Sequence, residues 1–142
     1  MIKKQLPTAG LLVIKDNQLL LTYSRNKQAW YLPGGKIDAG ETAKDALIRE
    51  VYEELSVKLE EEKVSYYYHI TADAYGEDNL VMEQDCFLYP ALDTIIPSME
   101  IEAVAYFSLA AYQKEAIQVV GVLLAFERLL ADGLLVSEQV DL

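Results

Sequence analysis

Three glutamates, Glu50, Glu53 and Glu54, stand at i, i+3 and i+4. On a helix that spacing crowds three carboxylates onto one patch of surface. The segment that carries them, Glu41 to Leu55, is rich in helix formers and contains no Gly or Pro. The patch falls in the C-terminal half of this helix, where the macrodipole disfavours negative charge. Folding has no use for that repulsion, but a hard divalent cation does. Mg²⁺ or Mn²⁺ takes oxygen ligands and turns the repulsion into binding. Arg49 stands four residues before Glu53 and can orient it. Ala43, Ala46, Leu47 and Val51 form an apolar stripe on the opposite side, which anchors the helix.

The elements around this helix must hold it in place. Thr8 to Lys15 reads as a strand, Asp16-Asn17 as a turn and Gln18 to Tyr23 as a second strand, together a hairpin. Ser24 to Gln28 is polar and loop-like. Trp30-Tyr31-Leu32 runs into Pro33-Gly34-Gly35, a break that ends any regular element, and Asp38-Ala39-Gly40 is another break. After the helix, strand character returns at Val57. Val64 to Tyr75 and Leu80 to Leu92 are two strands across a Gly76–Asn79 turn. Pro97 marks a loop, and Ala103 to Leu109 is a short strand. Ala111 to Ala131 reads as one helix with Ile117, Val120, Leu124 and Leu130 on its apolar side and Gly133 as its stop. The order predicts an α/β (α+β) sandwich, with helices packed on a mixed sheet, as one domain over residues 1–142.

Composition limits the partners. The 12 Lys and Arg face 23 Asp and Glu, a net charge of −11. Residues 1–36 hold six bases and one acid, so the remainder carries −16. Such a chain is repelled by extended nucleic acid, whose binding requires many phosphates to be neutralised. A small anionic ligand near the basic third, bridged elsewhere by a cation, is compatible. The lone cysteine, Cys86, excludes an internal disulfide framework and fits a reducing, cytoplasmic setting. No apolar run is long enough for a membrane span or export signal.

The segment from Gly35 to Val57 fits Gly-x5-Glu-x7-Arg-Glu-U-x-Glu-Glu-x-Gly-U, with U apolar, at Gly35, Glu41, Arg49, Glu50, Val51, Glu53, Glu54 and Val57. Six fixed letters at average usage coincide by chance about once in 10⁷ starting points. The pattern resembles the Nudix box of the Nudix hydrolase superfamily. Trp30 to Lys36 is similar to that family's usual entry to the box. One position departs: Ser56 stands where the family has glycine. That glycine takes the left-handed conformation after the helix, so serine there costs about 1 kcal/mol or shifts the helix end.

The resemblance implies a Nudix-type α/β/α sandwich with a central mixed sheet. It also implies metal-dependent hydrolysis of a diphosphate linkage in a nucleoside diphosphate joined to another group, such as a nucleoside triphosphate. Carried over by position, Glu50, Glu53 and Glu54 are the metal ligands, with the Gly35 carbonyl as a further candidate and Mg²⁺, or Mn²⁺, as the cofactor. Glu41 supports the site indirectly, through water or a ligand, and Arg49 holds a glutamate in place. The general base is either Glu53, within the box, or a downstream residue such as Glu100. Arg25, Lys27 and Lys36 flank the box entry and are candidates for phosphate contacts. A non-catalytic nucleotide sensor and an RNA 5′-end pyrophosphohydrolase are the alternatives. The Tyr66-Tyr67-Tyr68 run, in which Tyr67 is expected to face away from its neighbours, and the last helix offer surfaces for a homodimer.

Overall fold

A computed structural model describes residues 3–137. Strand β1 (Lys4–Leu12) becomes continuously buried from Thr8 onward. Such a run suits a strand covered on both faces rather than one with a wet side. Among the described residues, eight strands form two sheets. Besides β1 they are β2 (Ile14–Lys15), β3 (Gln18–Ser24), β4 (Ala29–Tyr31), β5 (Gly34–Lys36), β6 (Ser65–Asp73), β7 (Leu80–Leu88) and β8 (Ile101–Phe107). The first sheet is mixed, in the order β5-β1-β7-β6, with β1 and β7 parallel. The second is antiparallel, with β3 paired to β2, β4 and β8.

Helix α1 (Ala43–Leu55) covers one face. Its Leu47, Val51 and Leu55 pack with Ala9, Leu11, Val13, Leu20 and Phe87. Helix α2 (Leu109–Tyr112) is a single turn, and α3 (Val120–Ala131) covers the opposite face. There Val122, Phe126 and Leu129 meet Leu12, Leu19, Leu21, Ile70 and Cys86. Alternate residues of β1 and β3 thus point into different cores, and the result is the expected α/β/α sandwich.

Several local expectations need correction. The Asp16-Asn17 turn joins only β2 to β3, because β1 leaves the hairpin after Leu12 and pairs with β7 and β5. The Gly34–Gly35 break is itself strand β5, paired antiparallel with Ala9 and Gly10. Residues 57–60 are irregular, and a single 3-10 turn at Glu61–Lys63 precedes β6. Strand β7 stops at Leu88, four residues short of the expected end.

The long last helix is two pieces. Tyr112 is fully buried, its hydroxyl donates to the Trp30 carbonyl, and its oxygen accepts the Val119 N–H at 2.9 Å. That bond satisfies a backbone donor at the start of α3, which has no side-chain cap. The apolar face of α3 is therefore Val122, Ala125, Phe126 and Leu129, while Val120 is exposed. In the tyrosine run, the register shifts between Tyr66 and Tyr68. This bulge puts Tyr67 and Tyr68 together on the α3 side and leaves Tyr66 against Phe87.

Candidate active site

Helix α1 brings the acidic cluster into place. Its first turn is fixed by a capping box between Thr42 and Asp45. Its far end is closed by Ser56, which sits in the left-handed region (φ 60°, ψ 29°) and whose backbone N–H donates to the Tyr52 carbonyl at 3.0 Å. Serine therefore takes the conformation expected of glycine. Its hydroxyl adds a bond glycine lacks, donating to the Ile96 carbonyl at 3.1 Å. Next to it the Ile96 N–H donates to Leu55 O at 2.9 Å and the Ser98 N–H to Glu54 O at 2.8 Å. The end of α1 is thereby laced to the segment leading to Glu100.

The cluster opens onto a concavity of about 430 Å³ lined by Asn26, Glu50, Glu53, Glu54, Met99 and Glu100. The three box glutamates and the downstream Glu100 are thus brought together from two distant stretches of chain. Their environments differ sharply. Glu54 is 7% exposed, and one of its carboxylate oxygens accepts the Gly34 N–H at 3.1 Å. Burial pushes its carboxyl up to about 8, helped by the charges of Glu50, Glu100 and Glu53 and only partly opposed by Gly34. Burial also raises Glu50, against the pull of Arg49. Glu53 is the most open of the three, with its side chain 44% exposed.

Two glycines make room for this packing. Gly34 has φ 133°, and a Cβ there would lie 2.0 Å from the Ala9 carbonyl oxygen. A Cβ on Gly35 would lie 2.5 Å from the Glu50 carboxyl carbon. Gly35 is therefore the floor against which Glu50 rests.

Arg49 binds several acids at once. Its guanidinium lies 2.8 Å from Glu41, 3.0 Å from Glu50, 3.3 Å from Asp38 and 3.6 Å from Glu53, and it donates to the Lys36 carbonyl at 3.1 Å. The expected partner, Glu53, is the most distant of the four. The main grip is a two-pronged pair with Glu41, both prongs at 2.8 Å. That bond holds the Glu41 carboxyl down at about 2, with help from the Asp38 N–H, and raises Arg49 further above its ordinary range. Glu41 thus bonds Arg49, which in turn bonds Glu50.

The three basic candidates for phosphate contacts have these surroundings. Lys27 pairs with Glu77 at 2.9 Å, and the Arg25 guanidinium reaches the Met99 carbonyl at 3.5 Å. The Lys36 carbonyl is engaged by Arg49 while the residue itself is exposed. Sequence reasoning missed Asn26, whose amide donates to Glu100 at 3.0 Å, and Asp38 beside Arg49. Neither lies at a diagnostic spacing, and both sit in short polar turns.

The donor set suits a hard cation, being carboxylate oxygen throughout. Among the described residues, the buried Glu54 carboxyl is influenced by three other carboxylates and by no cationic side chain, and a cation would supply the missing positive charge. The side chains line the concavity without yet converging: among the described residues no group of three His, Cys, Asp or Glu is gathered as a ligand set. A second hollow of about 180 Å³, lined by Asn17, Ser108, Leu130 and neighbours, has no titratable side chain in its lining among the described residues. No helix among the described residues is long and apolar enough to cross a membrane.

Comparison with known proteins agrees with this picture. A family model described as NUDIX domain matches residues 4–123. A protein named RNA pyrophosphohydrolase from Aeromonas hydrophila is 36% identical over 56 residues, which is 39% of this chain and 32% of that protein. The chain thus spans about a third of that relative. Among solved structures, a MutT NUDIX hydrolase from Burkholderia pseudomallei superposes with a TM-score of 0.74 at 21% identity, over 88% of this chain and 98% of that one. A bifunctional NMN adenylyltransferase/ADP ribose pyrophosphatase from Francisella tularensis, complexed with AMP and a manganese ion, gives 0.69 at 22% identity, over 92% of this chain and 42% of that one.

Proposed function

The chain belongs to the NUDIX domain family, and from that premise we propose that it is a metal-dependent pyrophosphohydrolase. Its substrate is a nucleoside diphosphate joined to a further group, and a nucleoside triphosphate would yield the monophosphate and pyrophosphate. The observation that carries this reading is Glu54. It is a buried carboxyl beside Glu50 and Glu53, with Glu100 at the same concavity. Such a cluster is costly to bury without a cation to complete it.

Glu50, Glu53 and Glu54 would hold Mg²⁺ or Mn²⁺, with the Gly35 carbonyl as a further donor. When bound, the cation neutralises charge on the diphosphate and makes water more acidic. The manganese ion and AMP of the Francisella tularensis structure support the same class of cofactor and ligand here. Arg49 keeps Glu50 aimed into the concavity through its own clamp on Glu41. Glu53, the least buried of the three, and Glu100, delivered by a separate loop, are the two acceptors able to take a proton from the attacking water. A new P–O bond forms as the bridging P–O bond breaks, and the leaving phosphate carries the electron pair away. Exposed Lys36, and Lys27 once released from Glu77, would supply positive charge for phosphates. The single buried Cys86 suits a reducing, cytoplasmic setting.

A second reading has one specific support, the relative named RNA pyrophosphohydrolase. In that case the substrate is a triphosphorylated RNA 5′ end, of which only the terminal nucleotide is gripped. The net −11 offers no basic track for a longer strand.

A hydrolysis screen separates these readings. Purified protein with millimolar Mg²⁺ meets nucleoside triphosphates, nucleotide sugars, dinucleoside polyphosphates, ADP-ribose and a 5′-triphosphorylated RNA oligomer, with products identified by mass. Metal-dependent cleavage within a diphosphate, lost in Glu54→Gln, is the expected result. Tight nucleotide binding without turnover in the wild type would instead indicate a sensor.

A further inference from the structure

We propose that Asn26 is a positioning residue that holds Glu100 toward the carboxylate concavity, an inference that rests on the reading of Glu100 as part of the active site. Glu100 reaches the concavity from the loop before β8, far in sequence from α1. The backbone of that loop is fixed from both sides. From α1, Glu54 and Leu55 accept the N–H groups of Ser98 and Ile96, and the Ser56 hydroxyl donates to Ile96. From the β3–β4 turn, the Arg25 N–H donates to the Glu100 carbonyl at 2.8 Å and the Arg25 guanidinium reaches Met99. Met99 itself sits at φ 59°, a left-handed residue that turns the chain immediately before Glu100. With the backbone pinned, the remaining freedom is the Glu100 side chain, and an exposed glutamate has many rotamers to sample.

Asn26 removes that freedom. Its Nδ2 donates to Glu100 Oε2 at 3.0 Å, and both residues line the same concavity as the three box glutamates. The turn that presents Asn26 is itself rigid. The Gln28 N–H donates to the Ser24 carbonyl at 2.7 Å and the Lys27 N–H to Ser24 Oγ at 3.2 Å. Asn26 donates the only side-chain hydrogen bond to this carboxylate, and no ion pair engages it, among the described residues. The chemistry of the partner matters. An Arg or Lys would orient Glu100 by neutralising it, whereas an uncharged amide orients it and leaves its negative charge available. That is what a group meant to accept a proton or help hold a cation requires. Asn26 acts through Glu100 alone, without itself touching cation or substrate.

The test is a double-mutant cycle on the nucleotide that turns over fastest in the screen above. Asn26→Asp keeps a turn-forming side chain of the same size but replaces the donor with an acceptor that repels Glu100. It is expected to lower kcat about tenfold, with KM and melting temperature close to wild type. Glu100→Gln lowers kcat on its own, and Asn26→Asp then costs nothing further in the Glu100→Gln background. An equal loss in both backgrounds would show that Asn26 serves the turn alone and would overturn the proposal, as would an Asn26→Asp enzyme with wild-type kcat. If Glu100→Gln keeps full kcat, the reading of Glu100 fails, and the role of Asn26 with it. A crystal structure of Asn26→Asp gives an answer independent of turnover. Glu100 swung out of the concavity supports the proposal, and an unmoved Glu100 carboxylate overturns it.

Discussion

The burial of Glu54 has a thermodynamic signature that can be read without any substrate. In the metal-free protein its carboxyl is raised from 4.5 to about 8, chiefly because the charged form loses water. A group whose folded-state value lies above its unfolded value stabilises the fold fully below the unfolded value, and that stability is lost as pH rises through the folded value. For Glu54 the loss begins near pH 4.5 and is complete above about pH 8. The gap between the two values corresponds to about 5 kcal/mol at full expression. Glu50, raised in the same direction by burial, adds to the same trend.

Glu54→Gln removes the ionisation while its amide oxygen can still accept the Gly34 N–H. Whatever the substitution costs in packing is independent of pH. The stability of Glu54→Gln relative to wild type should therefore climb by several kcal/mol between pH 5 and pH 9. Urea unfolding in EDTA at pH 5, 7 and 9 measures this directly. Mg²⁺ added at pH 9 should restore wild type and leave the variant unchanged, because binding to the folded state stabilises it by mass action. A difference between the two proteins that stays flat from pH 5 to 9 would instead show that Glu54 ionises like an exposed carboxyl.

Other perturbations test the supports of the site. Gly35→Ala places a methyl on the Glu50 carboxyl group, so kcat should fall about tenfold or more while the melting temperature changes little, because Gly35 needs no left-handed backbone. Tyr112→Phe strips the Val119 N–H and the Trp30 carbonyl of a buried partner and should cost about 1–3 kcal/mol in urea unfolding. Ser56→Ala loses the hydroxyl bond to Ile96 but keeps the left-handed strain, a loss of about 0.5–1 kcal/mol by the same assay. Ser56→Gly loses the same bond but sheds about 1 kcal/mol of strain, so it should unfold closer to wild type than Ser56→Ala.

How much of this was legible in the sequence depends on whether the signal was local. The carboxylate patch was, because Glu50, Glu53 and Glu54 are neighbours on one helix whatever surrounds it. The apolar stripe of α1 was legible for the same reason, and Ala46, Leu47 and Val51 are all fully buried. Pairing across the chain was not. Thr8 to Lys15 followed by a turn looks like a hairpin, yet the continuous burial of β1 is decided by its parallel partner β7, some 76 residues away in register. The break in the last helix comes from one phenol reaching back to Trp30, a contact with no periodicity to reveal it. The bulge at Tyr67 overrides the simple alternation that would set Tyr67 apart from both Tyr66 and Tyr68. In the site itself, spacing points to Arg49 but not to its chief partner. The i+4 spacing favours Glu53, while the loop before α1 folds Glu41 into a better two-pronged geometry. Asn26 carried no signal at all, because its importance depends on two loops meeting.

We propose above that the buried carboxylates serve metal-dependent cleavage of a diphosphate. The most direct measurement is turnover of the nucleotide panel by protein stripped with EDTA, with Mg²⁺ titrated back in ¹⁸O-labelled water and the products weighed. The expected result is no turnover without metal, recovery at millimolar Mg²⁺, one ¹⁸O in a phosphate product, and no recovery in Glu54→Gln. Full cleavage in the stripped protein, or equal cleavage by Glu54→Gln, would contradict it.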